Sequence, residues 1–152
     1  MKNKLIPYEI TKSILKKSTT DKGLAWFWGA LDTHCDLISK GVRPMGIISP
    51  FWKDDQHKQN YPEMQELIQA YGLKIKANAP IVDDKKNIRY WRYYIYSKGH
   101  LKEVNQIISL FQKTRLISKM SRKQTYPLHR QIGHLLGYSQ DKIYEQYPDK
   151  NK

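Results

Sequence analysis

The chain has a single cysteine, Cys35. One thiol excludes an internal disulfide and a cysteine-based metal site. Beside an apolar helix it reads as a small packing residue. No apolar run approaches the roughly 18 residues of a membrane span. The N-terminal stretch MKNKLIPYEITKSILKK is basic but lacks the continuous apolar core of a secretory signal. A reducing, intracellular setting follows, cytoplasmic, nucleoid-associated or within an organelle. Repeats, low-complexity tracts and linkers are absent, so residues 1–152 are expected to form one domain. Acids are scarce, with 14 Asp and Glu against 27 Lys and Arg, a net charge of +13. That much charge of one sign repels itself and calls for a polyanionic partner. Aromatics are plentiful, with eleven Tyr and four Trp, more than a core of this size needs. Nucleic bases stack on such rings, so nucleic acid is the expected partner, duplex DNA first and structured RNA second.

Hydropathy patterning orders the elements. Ile10, Ile14 and Leu15 make one stripe among lysines, a short amphipathic helix. Thr19, Thr20 and Asp21 are helix-start residues, and the next helix is expected to run to about His34. Its apolar residues lie on several faces, so it is buried nearly all round. Asp36–Ser39 and Arg43–Ser49 read as strands, with a turn at Lys40-Gly41. Phe51–Asn60 reads as a loop, followed by a helix with Pro62 in its first turn and an apolar stripe of Met64, Leu67, Ile68 and Tyr71. Leu73, Ile75 and Ala77 alternate with Lys74, Lys76 and Asn78. In the next strand Trp91, Tyr93 and Ile95 alternate with Tyr90, Arg92, Tyr94 and Tyr96. Leu101 to Leu116 has clear helical spacing. A basic run, Ser118–Gln124, precedes a last apolar helix that stops at Gly137 and covers the sheet edge or binds a partner. The tail from Tyr147 is expected to fray.

This order predicts an α+β layer: one antiparallel four-stranded sheet with helices on one face, plus N- and C-terminal helical additions. The other sheet face then presents Arg43, Lys74, Lys76 and Arg92 among Tyr90, Tyr94 and Tyr96. A basic, aromatic face of that kind suits a duplex groove, cations reaching phosphates while Arg, Gln and Asn read base edges. Lys53, Arg89, Lys119, Arg122 and Lys123 extend the same basic surface.

The segment Leu24-Ala25-Trp26-Phe27-Trp28-Gly29-Ala30-Leu31-Asp32-Thr33-His34-Cys35 resembles the motif helix of the LAGLIDADG homing endonucleases. Leu24-Ala25, Gly29, Leu31 and Asp32 are the matching positions. Tyr90–Ser97 followed by Leu101–Leu116 is similar to that family's last strand and following helix, and Ser118–Gln124 to its basic terminal segment. The resemblance covers about residues 20–124 and leaves 1–19 and 125–152 as extensions. It implies an αββαββα saddle on duplex DNA. It also implies motif helices paired through small residues, here Ala25 and Gly29, in a homodimer. The helix ends would hold Mg²⁺ at the scissile phosphates.

Two positions depart from that pattern. The family's metal-binding acid falls on His34, and imidazole is a poor ligand for Mg²⁺. Asp32 would be the remaining metal ligand, with Asp36 the nearest other carboxylate. Trp28 stands where close helix pairing wants Gly or Ala, which argues against the usual dimer. The expectation is a nucleic-acid binder without family-type cleavage. The alternatives are an active divalent-metal endonuclease using Asp32, His34 or Asp36, and a basic module that binds an acidic protein.

Overall fold

The structure is a computed structural model and describes residues 22–83, 88–117 and 122–149. The expected N-terminal helix lies outside them, as do Lys119 and most of the turn from Asp83 to Asn87. The chain divides into two compact units, Met1–Lys98 and Gly99–Lys152. The first holds α1 (Lys22–Ser39), β1 (Met45–Ile48), α2 (Asp54–Ala70), β2 (Lys74–Asp83) and β3 (Ile88–Tyr96). The second holds α3 (Leu101–Ile117), a 3₁₀ turn (Arg122–Thr125), α4 (Tyr126–Leu135) and α5 (Gln140–Gln146).

The sheet has three antiparallel strands among the described residues, in the order β1-β3-β2. The expected four-stranded sheet is not formed, because Asp36–Ser39 is the last turn of α1. The cause is a packing stripe. Phe27, Trp28, Leu31, Cys35 and Ile38 recur at helical spacing, and all five are buried in one core. Ile38 is the last member of that stripe, and a strand would have swung it away. The helix then stops where Gly41 takes a left-handed φ of 73°. There Val42 N–H bonds Leu37 O at 2.9 Å.

Period-two alternation builds the rest of the layer. Tyr93 and Ile95 lie in the core, with Ile75, Ala77 and Trp91 packed against it. The α1 stripe and Met64, Leu67 and Ile68 of α2 complete the same core. Opposite, Lys76 pairs with Tyr94 and Asn78 with Arg92. The register shifts between Asn78 and Ile81, giving β2 one extra residue. Pro80, which has no N–H to donate, falls at this bulge.

The segment expected as a loop is partly helical: α2 starts at Asp54 and runs through Pro62. An internal proline removes one ladder bond and costs about 3 kcal/mol. Contacts from β3 offset that cost. Trp91 Nε1 donates to Asp54 Oδ1 at 2.9 Å, and the His57 ring stacks on Trp91 at 3.8 Å. Lys53 N–H is met by Gln56 Oε1 at 3.1 Å. The early turns are thus held by β3 and by the helix's own Gln56.

In the second unit Val104, Ile107, Leu110 and Thr114 form the buried stripe of α3. Beyond Gly137 the chain forms α5, and of the tail expected to fray from Tyr147, residues 150–152 lie outside the described residues. Arg130 Nη1 donates to Tyr147 O at 2.9 Å and Pro148 O at 3.3 Å. His129 stacks on Tyr147 with ring centres 5.0 Å apart.

Candidate nucleic-acid interface

The three residues read as a catalytic cluster are not brought together. Asp32 and Asp36 are four apart and share one ridge of α1, while His34 lies about 200° round from Asp32. The Asp32 carboxylate accepts from Tyr71 Oη at 2.7 Å. Burial, then that bond, holds the phenol of Tyr71 well above its ordinary value. Asp36 pairs with Lys40 at 2.7 Å. His34 packs over β1, so close that a Cβ at Gly46 would lie 2.7 Å from its Nδ1. A hard cation wants several oxygen ligands converging on one point. Two carboxylates engaged by Tyr71 and Lys40, with an imidazole on another side, do not fit Mg²⁺. Among the described residues no three His, Cys, Asp or Glu converge.

Trp28 is fully buried and points into the core. Its bulk therefore has no bearing on the outward face of α1. That face carries half-buried Ala25 and Gly29, exposed Thr33 and Trp26 at 69% exposure. Cys35 is fully buried, and burial, with Asp32 adding to it, pushes its thiol up to about 12.

The basic residues divide as well. Lys74 and Lys53 are exposed, and Lys76, Tyr90 and Arg92 are half-buried. Tyr94 is fully buried and Tyr96 nearly so, which leaves neither ring surface for stacking. Alternation told which side they share, and it did not tell that this end of the side is covered. Arg43 is half-buried, and its charge opposes protonation of His34, so it belongs with the imidazole. Arg89 pairs with Val82 in the ladder. Arg122 opens the 3₁₀ turn of the second unit, where Lys123 is exposed.

The accessible part of the sheet face has a member that the sequence did not point to. Phe51 has a φ of 58°, the one non-glycine residue with positive φ among the described residues. A bulky residue in that region costs about 1–2 kcal/mol. The local reason is a split demand on the loop after β1. Trp52 is buried in the core, its ring 4.3 Å from Phe27, and its carbonyl accepts from Trp91 N–H at 3.2 Å. Phe51 is turned the other way, at 68% exposure, with its ring 5.0 Å from Tyr90. Next to them Arg92 Nε donates to Ser49 Oγ at 3.2 Å. Phe51, Tyr90, Arg92, Asn78 and Lys76 form one aromatic and basic strip. An unexpected φ cannot be read from a sequence; a Pro-Phe-Trp loop bordering a strand was the available sign.

Behind this strip, His57 is held between Trp91 and Tyr93, its Nδ1 2.7 Å from Tyr93 Oη. Burial lowers its pKa, with Asp54 opposing and Lys58 assisting. Burial and then Arg43 lower that of His34. Both imidazoles therefore take up protons less readily in the folded state, and the unfolded chain takes them up first as pH falls. Folding stability should rise with pH up to the ordinary His value near 6.5 and level off above about 7.5. Thermal melts between about pH 5 and pH 8 check this. Replacing both histidines with Gln should flatten the slope above about pH 5.5, where carboxylates contribute little.

No helix of the described residues is long and apolar enough to cross a membrane. Comparison with protein-family models, with characterised proteins and with solved structures matches this chain to none of them.

Proposed function

We propose that the chain binds nucleic acid through the strip formed by Phe51, Tyr90, Arg92, Asn78 and Lys76, without cleaving it. The observation that carries this reading is the strained, solvent-facing Phe51 against Tyr90 beside Arg92. A fold tolerates an αL phenylalanine where surrounding contacts hold it, and such residues cluster at binding sites. An exposed ring pair offers a stacking platform to a base that is unpaired, terminal or turned out of its stack, and the flanking cations follow the phosphates. The chain's net charge of +13 supplies the long-range attraction. Asn78 and Arg92 carry the donor groups that read base edges. Duplex DNA is the proposed ligand, and structured RNA presents the same phosphates. The engagement of Asp32 by Tyr71 and of Asp36 by Lys40 supports binding without cleavage. A homodimer joined through the outward face of α1 is compatible with this reading, which is made for the single chain.

Affinity should then fall steeply with salt, because phosphate contacts release counterions. Replacing Lys74, Lys76 and Arg92 together by Ala should weaken duplex binding and make the log–log salt slope shallower by about 3. Titration of labelled duplex at several salt concentrations, with Mg²⁺ or with EDTA, tests both parts. An unchanged slope would sink the strip as the interface. Mg²⁺-dependent cuts at a defined site would sink the absence of cleavage.

A further inference from the structure

We propose that the strip holds a single base standing out of its stack, so that the chain selects duplex DNA with one unpaired base over continuous duplex. The inference rests on the reading above and specifies the ligand of that same strip. In a continuous duplex every inner base has both faces covered by its neighbours, and the grooves expose only base edges. An exposed ring gains little from such a duplex unless a base leaves the stack, and an unpaired base leaves it at the least cost. Aromatic wedges do enter between intact pairs, but such a ring needs both of its faces clear. Phe51 has Tyr90 against it, with ring centres 5.0 Å apart.

The Phe51 ring is held in place before any ligand arrives. It is 68% exposed, while the chain on either side of it is anchored. Before it, Ser49 Oγ accepts from Arg92 Nε at 3.2 Å, and Pro50 fixes its own φ. After it, Trp52 is buried, and its carbonyl accepts from Trp91 N–H at 3.2 Å. Little ordering entropy is therefore left to lose on binding. The stacking surface is also small. Tyr94 and Tyr96, next along the same side, are buried. The rings of Phe51 and half-buried Tyr90 are tilted by 54°, so they form a corner and not a continuous platform. A corner takes one base against Phe51 with Tyr90 at its margin, whereas a run of bases needs rings in series.

Charge and hydrogen-bonding groups lie beside that corner. Arg92 shares β3 with Tyr90 and pairs with Asn78 on β2, and Lys76 and Lys74 follow along the outward side of β2. None of the outward residues described on β2 and β3 is a carboxylate. The two strands lie roughly 4.8 Å apart, so the cations border the rings on one side, where they meet the phosphates flanking the extruded nucleotide. Extrusion uncovers the Watson–Crick edge of the base, which pairing hides in a duplex. The amide of Asn78 and the guanidinium of Arg92 are groups that bind such an edge.

Fluorescence anisotropy of the full chain on labelled DNA duplexes of equal length, and on the same set in RNA, tests this. One duplex is continuous, one carries a single unpaired adenine, and one carries an abasic spacer at the same bulge. The adenine bulge should bind about tenfold to a hundredfold tighter than the continuous duplex, the contribution of one stacked base. The spacer keeps the flexibility of the bulge but has no ring, and should bind like the continuous duplex. In Phe51→Gly the preference for the adenine bulge should disappear. The spacer comparison needs no variant, so it decides the matter even where Phe51→Gly fails to fold. Equal affinity for the adenine bulge and the continuous duplex, both lost with the Lys74, Lys76 and Arg92 triple change, would refute the inference and leave the sheet interface standing. A preference that the spacer shares, or that Phe51→Gly keeps, would come from duplex flexibility and would also refute it. A preference seen in RNA and not in DNA would overturn the choice of DNA. Retention of no duplex of either kind would refute both the inference and the sheet interface.

Discussion

Trp28→Ala is expected to lower the stability of the chain by about 3–5 kcal/mol, the usual cost of removing a buried tryptophan. Trp28 has no exposed surface and packs edge-on against Phe27 at 5.1 Å. Phe27 in turn touches Trp52, and Trp52 touches Tyr93, so one ring anchors an aromatic chain from α1 to β3. A loss of that size is a large part of the 5–15 kcal/mol typical of a folded protein. Trp28→Phe should cost less than about 1.5 kcal/mol. It keeps most of the volume and removes a buried indole N–H that has no hydrogen-bond partner. Trp26→Ala, two residues away but mostly exposed, should change stability by no more than about 0.5 kcal/mol. Urea midpoints of the three variants check the order. A larger loss for Trp26 than for Trp28 would mean that α1 is rolled about its axis, with Trp28 outward.

Phe51→Gly is expected to separate binding from stability. Glycine accepts a φ of 58° without a clash, which returns about 1 kcal/mol or more. The ring pair with Tyr90 that is lost is worth about 0.5–1.5 kcal/mol. The melting temperature should therefore stay close to that of the parent chain. Binding of nucleic acid that offers an unpaired base should fall, because stacking on one ring contributes about 1–3 kcal/mol per base, roughly tenfold to a hundredfold in affinity. Phe51→Trp should restore most of it. A variant that binds as well as the parent would remove Phe51 from the interface and leave its backbone strain without a role. A variant that unfolds would show the phenyl ring to be structural.

The strand faces were legible because a strand's period is built into its backbone. Leu73, Ile75 and Ala77 go inward with Trp91, Tyr93 and Ile95 whatever else the chain does. Lys40-Gly41 ended a segment as expected, since the conformation there suits glycine. The stripe along α3 was equally plain.

Other features depended on contacts distant in sequence. Asp36–Ser39 is too short and mixed to declare itself, and the burial of Ile38 made it helix. Asp54–Asn60 reads as a polar loop until Trp91 takes the Asp54 carboxylate and stacks on His57. Tyr94 and Tyr96 share a side with Arg92, yet their burial depends on what lies over that end. His34 and Asp36 are near neighbours in sequence, and the helix sends them to different sides.

The sequence by itself determined the charge, the alternating strands and the helical stripes, because these follow from composition and from the backbone's two periods. Only the tertiary structure decided which tryptophan is core, which tyrosines are open and that Phe51 stands strained beside Tyr90. It also decided that the residues after Gly137 form a second helix seated on Gly133. Each of these is settled by which distant surfaces meet, and local pattern carries no record of that.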